Sequence, residues 1–273
     1  MRKKGDLLKR ARVYSLFYRT LKFRAIKYFS VKLINKSDTK RLHRIKVQTQ
    51  KEFLHDPTRS DFSRSLSYAF SSHVEGDIAE FGTQTGTSSI SILAITEILN
   101  MQTFETKYSQ YKKIHFFDSF AGFPEITSEF DQKSHHVINR IWKKGGCVGL
   151  NFFEFNRVMN KLSATARFTI TPGFFQDSLN SQSLLHKFSW VHVDCDLYES
   201  TLCVLNYLFS NRVLSEGAIL LLSDFYANRG DSETGQQLAW REVAKKYQVN
   251  FHDLGFVGTM SNAFLIRSYN GRY

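Results

Sequence analysis

From about residue 70 onward, short apolar runs rich in Ile, Val and Phe alternate with longer segments whose apolar residues recur at three- or four-residue steps. That alternation predicts strands followed by helices, and hence an α/β fold with a largely parallel sheet covered on both faces. The strand runs are GDIAEFG (76–82), KIHFFDS (113–119), ARFTITPG (166–173), FSWVHVDCD (188–196) and GAILLLSDF (217–225). Helices are expected near 86–100, 151–163, 198–212 and 232–247. Two last apolar stretches, NFHDLG and NAFLIRS, follow one another with no clear helix between them, which predicts a C-terminal antiparallel hairpin and a seven-stranded sheet. The stretch 123–150, with FPEITSEFDQKSHH and KKGGCVG, has no strong period and reads as a long insertion or lid.

The N-terminus follows a different pattern. Leu7, Ala11, Tyr14, Phe17, Leu21, Ala25 and Tyr28 recur at helical spacing, with Lys and Arg filling much of the rest. A basic amphipathic helix of this kind suits an anionic membrane surface, or it packs on its own domain or on a second subunit of a homo-oligomer. Charge sharpens the division. The 273 residues carry a formal net charge of +12, yet residues 1 to 50 hold 16 Lys and Arg against 2 acidic residues, and the rest is 21 basic against 23 acidic. The expected organisation is therefore a basic extension over 1–50 and one main domain over 51–273. A near-neutral main domain argues against nucleic acid as partner, because phosphate tracking needs cations around the site.

Three cysteines, Cys147, Cys195 and Cys203, form no CxxC pair and no disulfide framework. No run approaches the roughly 20 apolar residues that span a bilayer, and no signal-peptide core follows the basic start. The expected location is cytoplasmic, with residues 1–50 as a candidate peripheral contact at the inner membrane surface.

Three stretches carry candidate chemistry. In AEFGTQTGTSS, Gly82 and Gly86 permit a tight turn after a strand, and Thr85 to Ser89 open a helix whose free N–H groups attract oxygen atoms. The stretch lacks the third glycine of a dinucleotide fingerprint and the lysine of a P-loop, which disfavours NAD and ATP. In HFFDSFAGFP, Asp118 closes the next strand, where an acid accepts ribose hydroxyls in doubly wound folds. The third is the end of WVHVDCDLYES together with LLLSDF. Ligands gather beyond the carboxyl ends of parallel strands, so Glu80, Asp118, Asp194, Asp196 and Asp224 should share one crevice. Asp194 and Asp196 point to one side if the strand persists through both. Hard oxygen donors suit Mg²⁺, and a free carboxylate nearby suits a general base. The bland alternatives are helix caps for the aspartates, a satisfied core residue for His192 and packing for Cys195.

With DIAEFGTQTGTSS, IHFFDSFAGFPE, TPGFFQDSL, VDCDLYEST and GAILLLSDF in this order, the chain resembles the macrocin O-methyltransferase family over about residues 70 to 268. The resemblance implies a Rossmann-like class I methyltransferase fold, S-adenosylmethionine as methyl donor, Mg²⁺, and a hydroxyl acceptor on a sugar, glycan or natural product. Carried over by position, Glu80, Gly82, Thr83, Gly86 and Ser88 look like the cofactor loop, Asp118 with Ser119 the ribose end, and Asp177 with its neighbours in GFFQDSL a candidate for the adenine end. Asp194 resembles a metal ligand and Asp196 the general base. The family's second metal motif, two adjacent aspartates, reads Ser223 and Asp224 here. That departure motivates a second reading, in which the fold is kept, catalysis is weakened, and the chain serves as a membrane-surface or assembly module through its N-terminus.

Overall fold

A computed structural model describes residues 36–104, 111–179 and 186–271. The N-terminal amphipathic segment predicted from Asp6 to Phe29 lies outside the described residues. The chain divides into two units, 1–39 and 40–273, and the second holds the fold. Its seven strands are β1 (Asp77–Phe81), β2 (Ile114–Asp118), β3 (Phe168–Pro172), β4 (Phe188–Val193), β5 (Leu214–Leu222), β6 (Asn250–Val257) and β7 (Ser261–Ser268). They lie in the order β3-β2-β1-β4-β5-β7-β6. The first five are parallel, while β7 runs antiparallel to both β5 and β6. Strand order reverses between β1 and β4, so the crevice for a ligand opens beyond Phe81 and Val193.

Alternation along the strands divides the core into two layers. Ala79, Phe81, Val191, Val193, Leu220 and Leu222 face α8 (Tyr198–Ser210) and α10 (Gly235–Lys246). Ile78, Trp190, Ile219 and Leu221 face the opposite layer, which contains α1 (Lys36–His55), α2 (Asp61–Ser71), α3 (Thr87–Phe104) and α6 (Phe152–Leu162). Each fully buried side chain of this size stabilises the fold by roughly 1.5–3 kcal/mol. Helix α3 is apolar almost all round because it is buried there, with Ile90, Ile92, Leu93, Ala94 and Ile95 inaccessible to solvent.

The N-terminal edge of the domain differs from the expectation. The compact unit begins at Lys40, before the boundary at 51 that charge suggests. Three residues explain this. Leu42 is buried in the core, and Lys46 donates to the Leu162 carbonyl and pairs with Glu97, each at 2.6 Å. Arg41 donates to Thr85 O (3.1 Å) and Thr87 Oγ1 (3.0 Å). Two of the cations that give the segment its charge, Arg41 and Lys46, are thus structural. Among the described residues no helix is long and apolar enough to cross a membrane.

The insertion is a packed loop with a pinned neck. Phe123 N donates to Gly146 O (3.0 Å) and Gly145 N to Phe123 O (2.9 Å). Gly122 permits the crossing, since a Cβ there would stand 2.3 Å from Gly146 O. Leu150 N then donates to Gln84 O (3.0 Å), which ties the loop's far end to the turn after β1. Inside the loop lie α4 (Glu129–Lys133) and α5 (His135–Ile138), and Phe123 and Trp142 pack with Leu197 and Ala227 in a small core of their own. In sequence order, α7 (Phe175–Ser178) and α9 (Ala227–Gly230) are further single turns.

Candidate active site

The crevice at the switch point encloses about 770 Å³ including its open mouth. Of the residues singled out in the sequence, Gly82, Asp118, Ser119, Asp194 and Asp196 line it. On its donor side, β1 ends in Gly82, whose φ of +94° and close packing exclude a side chain: a Cβ would stand 1.9 Å from the Asp194 carbonyl oxygen. Asp118 Oδ2 accepts from Thr83 N (2.6 Å), Thr83 Oγ1 (3.1 Å) and Gln84 N (3.1 Å), and Oδ1 accepts from Phe120 N (2.6 Å). Asp118 therefore closes a loop instead of capping a helix, and its Oδ1 keeps a lone pair for a ligand hydroxyl. Ser119 Oγ donates to Gly122 O (2.9 Å).

Other members of the predicted cofactor loop stand behind the wall. Glu80 is fully buried, with Oε2 accepting from Ser89 Oγ and Oε1 lying 3.1 Å from His192 Nδ1. Glu80 and His192 are partners across β1 and β4, so the histidine is a satisfied core residue. Burial pulls the His192 pKa down, but the Glu80 hydrogen bond and the charges of Asp194, Glu80 and Asp224 outweigh it and leave the value raised. Thr83 serves Asp118, Gly86 faces the Phe155 and Leu42 side chains, and the half-buried Ser88 is not part of the lining. At the far end, Gly173, Phe174, Phe175 and Gln176 line the crevice, whereas Asp177 is exposed beside it.

The reacting side departs from the strand geometry expected of it. β4 ends at Val193, so pleat alternation does not place Asp194 and Asp196. Asp196 takes a left-handed φ of 62°, a conformation that aspartate tolerates better than most residues, and this turn brings its carboxyl to the crevice. Cys195 consequently lines the crevice as well, rather than only packing on the far face. Asp196 does not cap α8. Its N-cap is Leu197, which has no capping side chain, and the acceptors come from the insertion: Asp131 Oδ1 takes Tyr198 N (2.7 Å) and Oδ2 takes Glu199 N (3.1 Å). Sequence reasoning missed Asp131. A helix start without a capping side chain of its own was the available signal.

Three carboxyl groups crowd at this end. Burial, and then the Asp194 charge, pushes Asp196 up to about 8. Asp194 and Asp224 stand close enough to share a hydrogen bond, and burial followed by the neighbouring carboxylates raises both. Asp224 N donates to Gln236 Oε1 (2.9 Å), while Asp224 Oδ2 is buried with no hydrogen-bond partner. Ser223 N donates to Val193 O (2.9 Å) and its carbonyl accepts from Ser261 Oγ (3.0 Å). Among the described residues no group of three or more His, Cys, Asp or Glu side chains is spaced to hold a metal ion. The Asp194 and Asp224 pair fits Mg²⁺ in a limited sense. That ion takes one or two carboxylates and keeps its waters, and Asp224 Oδ2 is a hard oxygen left without a partner.

On the acceptor side, the exposed Cys147 lines the crevice and feels the same carboxylates. Burial, and then Asp196, Asp224 and Asp194, holds its thiol up to about 12, so it is a neutral group. His136 stacks on Trp142 (centroids 4.4 Å apart), and its Nδ1 lies 2.6 Å from Asn228 Oδ1.

A mostly parallel seven-stranded sheet with an antiparallel end, and a crevice walled by a glycine turn and strand-end aspartates, is the architecture of S-adenosylmethionine-dependent O-methyltransferases. A family model described as Macrocin-O-methyltransferase (TylF) matches residues 58–247, and the chain belongs to that family. It is an O-methyltransferase. Among solved structures it is similar to the O-methyltransferase NovP (18% identity, TM-score 0.60, covering 84% of this chain and 80% of that one). It is also similar to the calicheamicin methyltransferase CalS11 (19% identity, TM-score 0.55, covering 84% and 91%). At these identities the likeness is one of fold. No curated protein matches the chain in sequence.

Proposed function

We propose that the crevice transfers a methyl group from S-adenosylmethionine to a hydroxyl of a sugar or natural-product acceptor, with Asp196 as general base and with Mg²⁺ held by Asp194 and Asp224. The observation that carries this reading is the state of Asp196: it is released from helix capping by Asp131, turned into the crevice, and pushed up to about 8 by burial and Asp194. A carboxylate with a raised pKa is a stronger base, and a value near the working pH suits proton abstraction. The natural-product acceptor is supported by the family and by the calicheamicin methyltransferase likeness.

The methyl donor presents a sulfonium carbon that is attacked in line by the acceptor oxygen. This chain's residues must hold the two together and remove the acceptor's proton. Gly82 admits the donor close to the backbone, Asp118 Oδ1 offers an acceptor for a ribose hydroxyl, and Phe174, Phe175 and Gln176 flank the far end. Asp196 takes the hydroxyl proton as the new carbon–oxygen bond forms and the sulfur–methyl bond breaks, its electron pair staying on the sulfur of the departing S-adenosylhomocysteine. A divalent ion would lower the pKa of an acceptor hydroxyl placed beside it. Ser223 brings a neutral hydroxyl where the family has a carboxylate, so the two remaining aspartates carry that affinity.

Calorimetry with S-adenosylhomocysteine tests the donor half: saturable binding is expected, and no binding would sink the reading. Titration with Mg²⁺ by the same method tests the metal, with heat expected from the wild type and lost in Asp224→Asn.

A further inference from the structure

The crevice lining holds Asp118, Asp194 and Asp196 and no Lys or Arg; the cations nearest its reacting end stand just outside that lining. His135 opens α5 beside Arg229 on α9; burial, then Arg229 and then His136 hold the His135 pKa below its usual value. Arg229 is exposed and makes no hydrogen bond or ion pair among the described residues. Its backbone is unusual. Asn228 (φ 55°) and Arg229 (φ 63°) are consecutive left-handed residues, neither of them a glycine, a conformation that L side chains disfavour. Such a turn persists only when its surroundings impose it.

Here the surroundings do so through Asn228, which is buried. Its Oδ1 accepts from His136 N (3.0 Å), and its own backbone N lies 3.2 Å from His136 Nδ1. Trp142 backs the imidazole. This latch joins the insertion to the turn after β5 and leaves the guanidinium free in solvent beside His135. The latch also borders the reacting end. A Cβ placed on Gly235 would lie 3.2 Å from Asn228 Nδ2 and 3.9 Å from the Asp196 carbonyl oxygen. Ala227, two residues before Arg229, packs with Leu197, the residue after Asp196.

We propose that Arg229 and His135 bind an anionic group of the methyl acceptor, a phosphate or a carboxylate carried at a distance from the hydroxyl that reacts at Asp196. The inference rests on the methyltransferase reading of the crevice and narrows its acceptor class. Asp118, Asp194 and Asp196 line the interior and no Lys or Arg does, so an anion finds no cationic partner there. An acidic acceptor therefore enters in one orientation, with its hydroxyl inward and its charge at the rim. A guanidinium suits this task because its fork of donors meets two oxyanion atoms at once. A rim built to receive a neutral sugar has no need of an unpaired arginine on a strained turn.

The test is calorimetry on the full chain with inorganic pyrophosphate and, separately, with glucuronate, each with and without S-adenosylhomocysteine. Saturable binding of at least one anion is expected, weakened about tenfold or more in Arg229→Gln and less in Arg229→Lys, since the glutamine loses a charge-assisted bidentate contact. The tighter of the two anions assigns the source as phosphate or carboxylate. His135→Gln, which leaves the strained turn untouched, should weaken the same anion. If neither anion binds, or if both bind Arg229→Gln as well as wild type, the inference is overturned. Loss of S-adenosylhomocysteine binding with anion binding intact would instead overturn the methyltransferase reading and leave the anion site standing.

Discussion

The donor and acceptor sides of the crevice use the same residue type at the same topological place, yet leave it in opposite states. Asp118, after β2, accepts four hydrogen bonds from Thr83, Gln84 and Phe120. Asp224, after β5, is half-buried, with one oxygen buried and unpartnered, and shares its surroundings with Asp194 and Asp196. The first carboxylate is held by three backbone amides and the Thr83 hydroxyl, with room on Oδ1 for one more donor, so this side of the crevice is preformed. The second group demands a proton or a cation from outside the chain. Buried polar groups are normally satisfied, and an unsatisfied one among like charges marks where chemistry is expected.

The largest break in this contrast should come from Asp196→Asn, which preserves shape and removes the base. Turnover should fall by ~10²–10⁴-fold, while calorimetry should find S-adenosylhomocysteine affinity nearly unchanged. Unchanged turnover would remove Asp196 from the base role.

The next effect is on stability. Asp194, Asp196 and Asp224 are all raised above the ordinary carboxylate value, the first and last to about 7 and Asp196 to about 8. Between about pH 4 and about pH 8 the folded chain therefore holds more protons than the unfolded one, and stability must fall as pH rises through that window. For groups buried and coupled this closely the total is on the order of a few kcal/mol. Thermal melts of chelator-treated protein should show the midpoint dropping between about pH 5 and about pH 8, with Asp224→Asn flattening the slope. Millimolar Mg²⁺ should restore the midpoint at the alkaline end and do little at the acidic end. A flat profile would mean that the three groups do not crowd as described.

On the Asp118 side the legible parts were Gly82, Asp118 and Ser119, in two short stretches, 79–89 and 115–124, where an apolar run, a glycine and an acid in sequence are enough to mark a strand, a turn and a strand-end carboxylate. The sheet was legible for the same reason, since period-two and period-3.6 patterns are local. Helices α1 and α2 were not anticipated, because each buries only a few residues. In α1 one of these, Lys46, is charged and draws its partners from Glu97 and Leu162. The acceptor side is made of contacts across long separations: Asp131 with Tyr198, and His136 with Asn228. No periodicity marks such pairs. The left-handed turn at Asp196 was hidden too, since the run WVHVDCD reads as unbroken strand.

Asp131 offers a smaller, sharper cut between the two sides. Replacing it by alanine strands the amides of Tyr198 and Glu199 at the start of α8, and loss of a cap typically costs about 1–2 kcal/mol. Urea unfolding should register that loss, with asparagine recovering part of it because one carbonyl oxygen remains to accept. Turnover should fall in both variants, because the cap sits two residues from Asp196. Affinity for S-adenosylhomocysteine should stay at the wild-type level if the donor cradle is independent of the insertion.

The finest discrimination lies at the far end of the donor side. The family resemblance placed Asp177 at the adenine, but the side chain is exposed on α7 while Phe174, Phe175 and Gln176 line the crevice. An exposed carboxylate outside the lining contributes little to binding a neutral base. Asp177→Asn should therefore shift the dissociation constant of S-adenosylhomocysteine by less than about twofold, or about 0.4 kcal/mol. Phe175→Ala, by contrast, removes apolar surface from the wall and should weaken binding by more than about tenfold, since burying an aromatic side chain contributes roughly 1.5–3 kcal/mol. If the order of the two variants were reversed, the adenine would be held by charge at the rim and not by the aromatic wall, and the donor side would resemble the acceptor side in depending on an exposed ionised group.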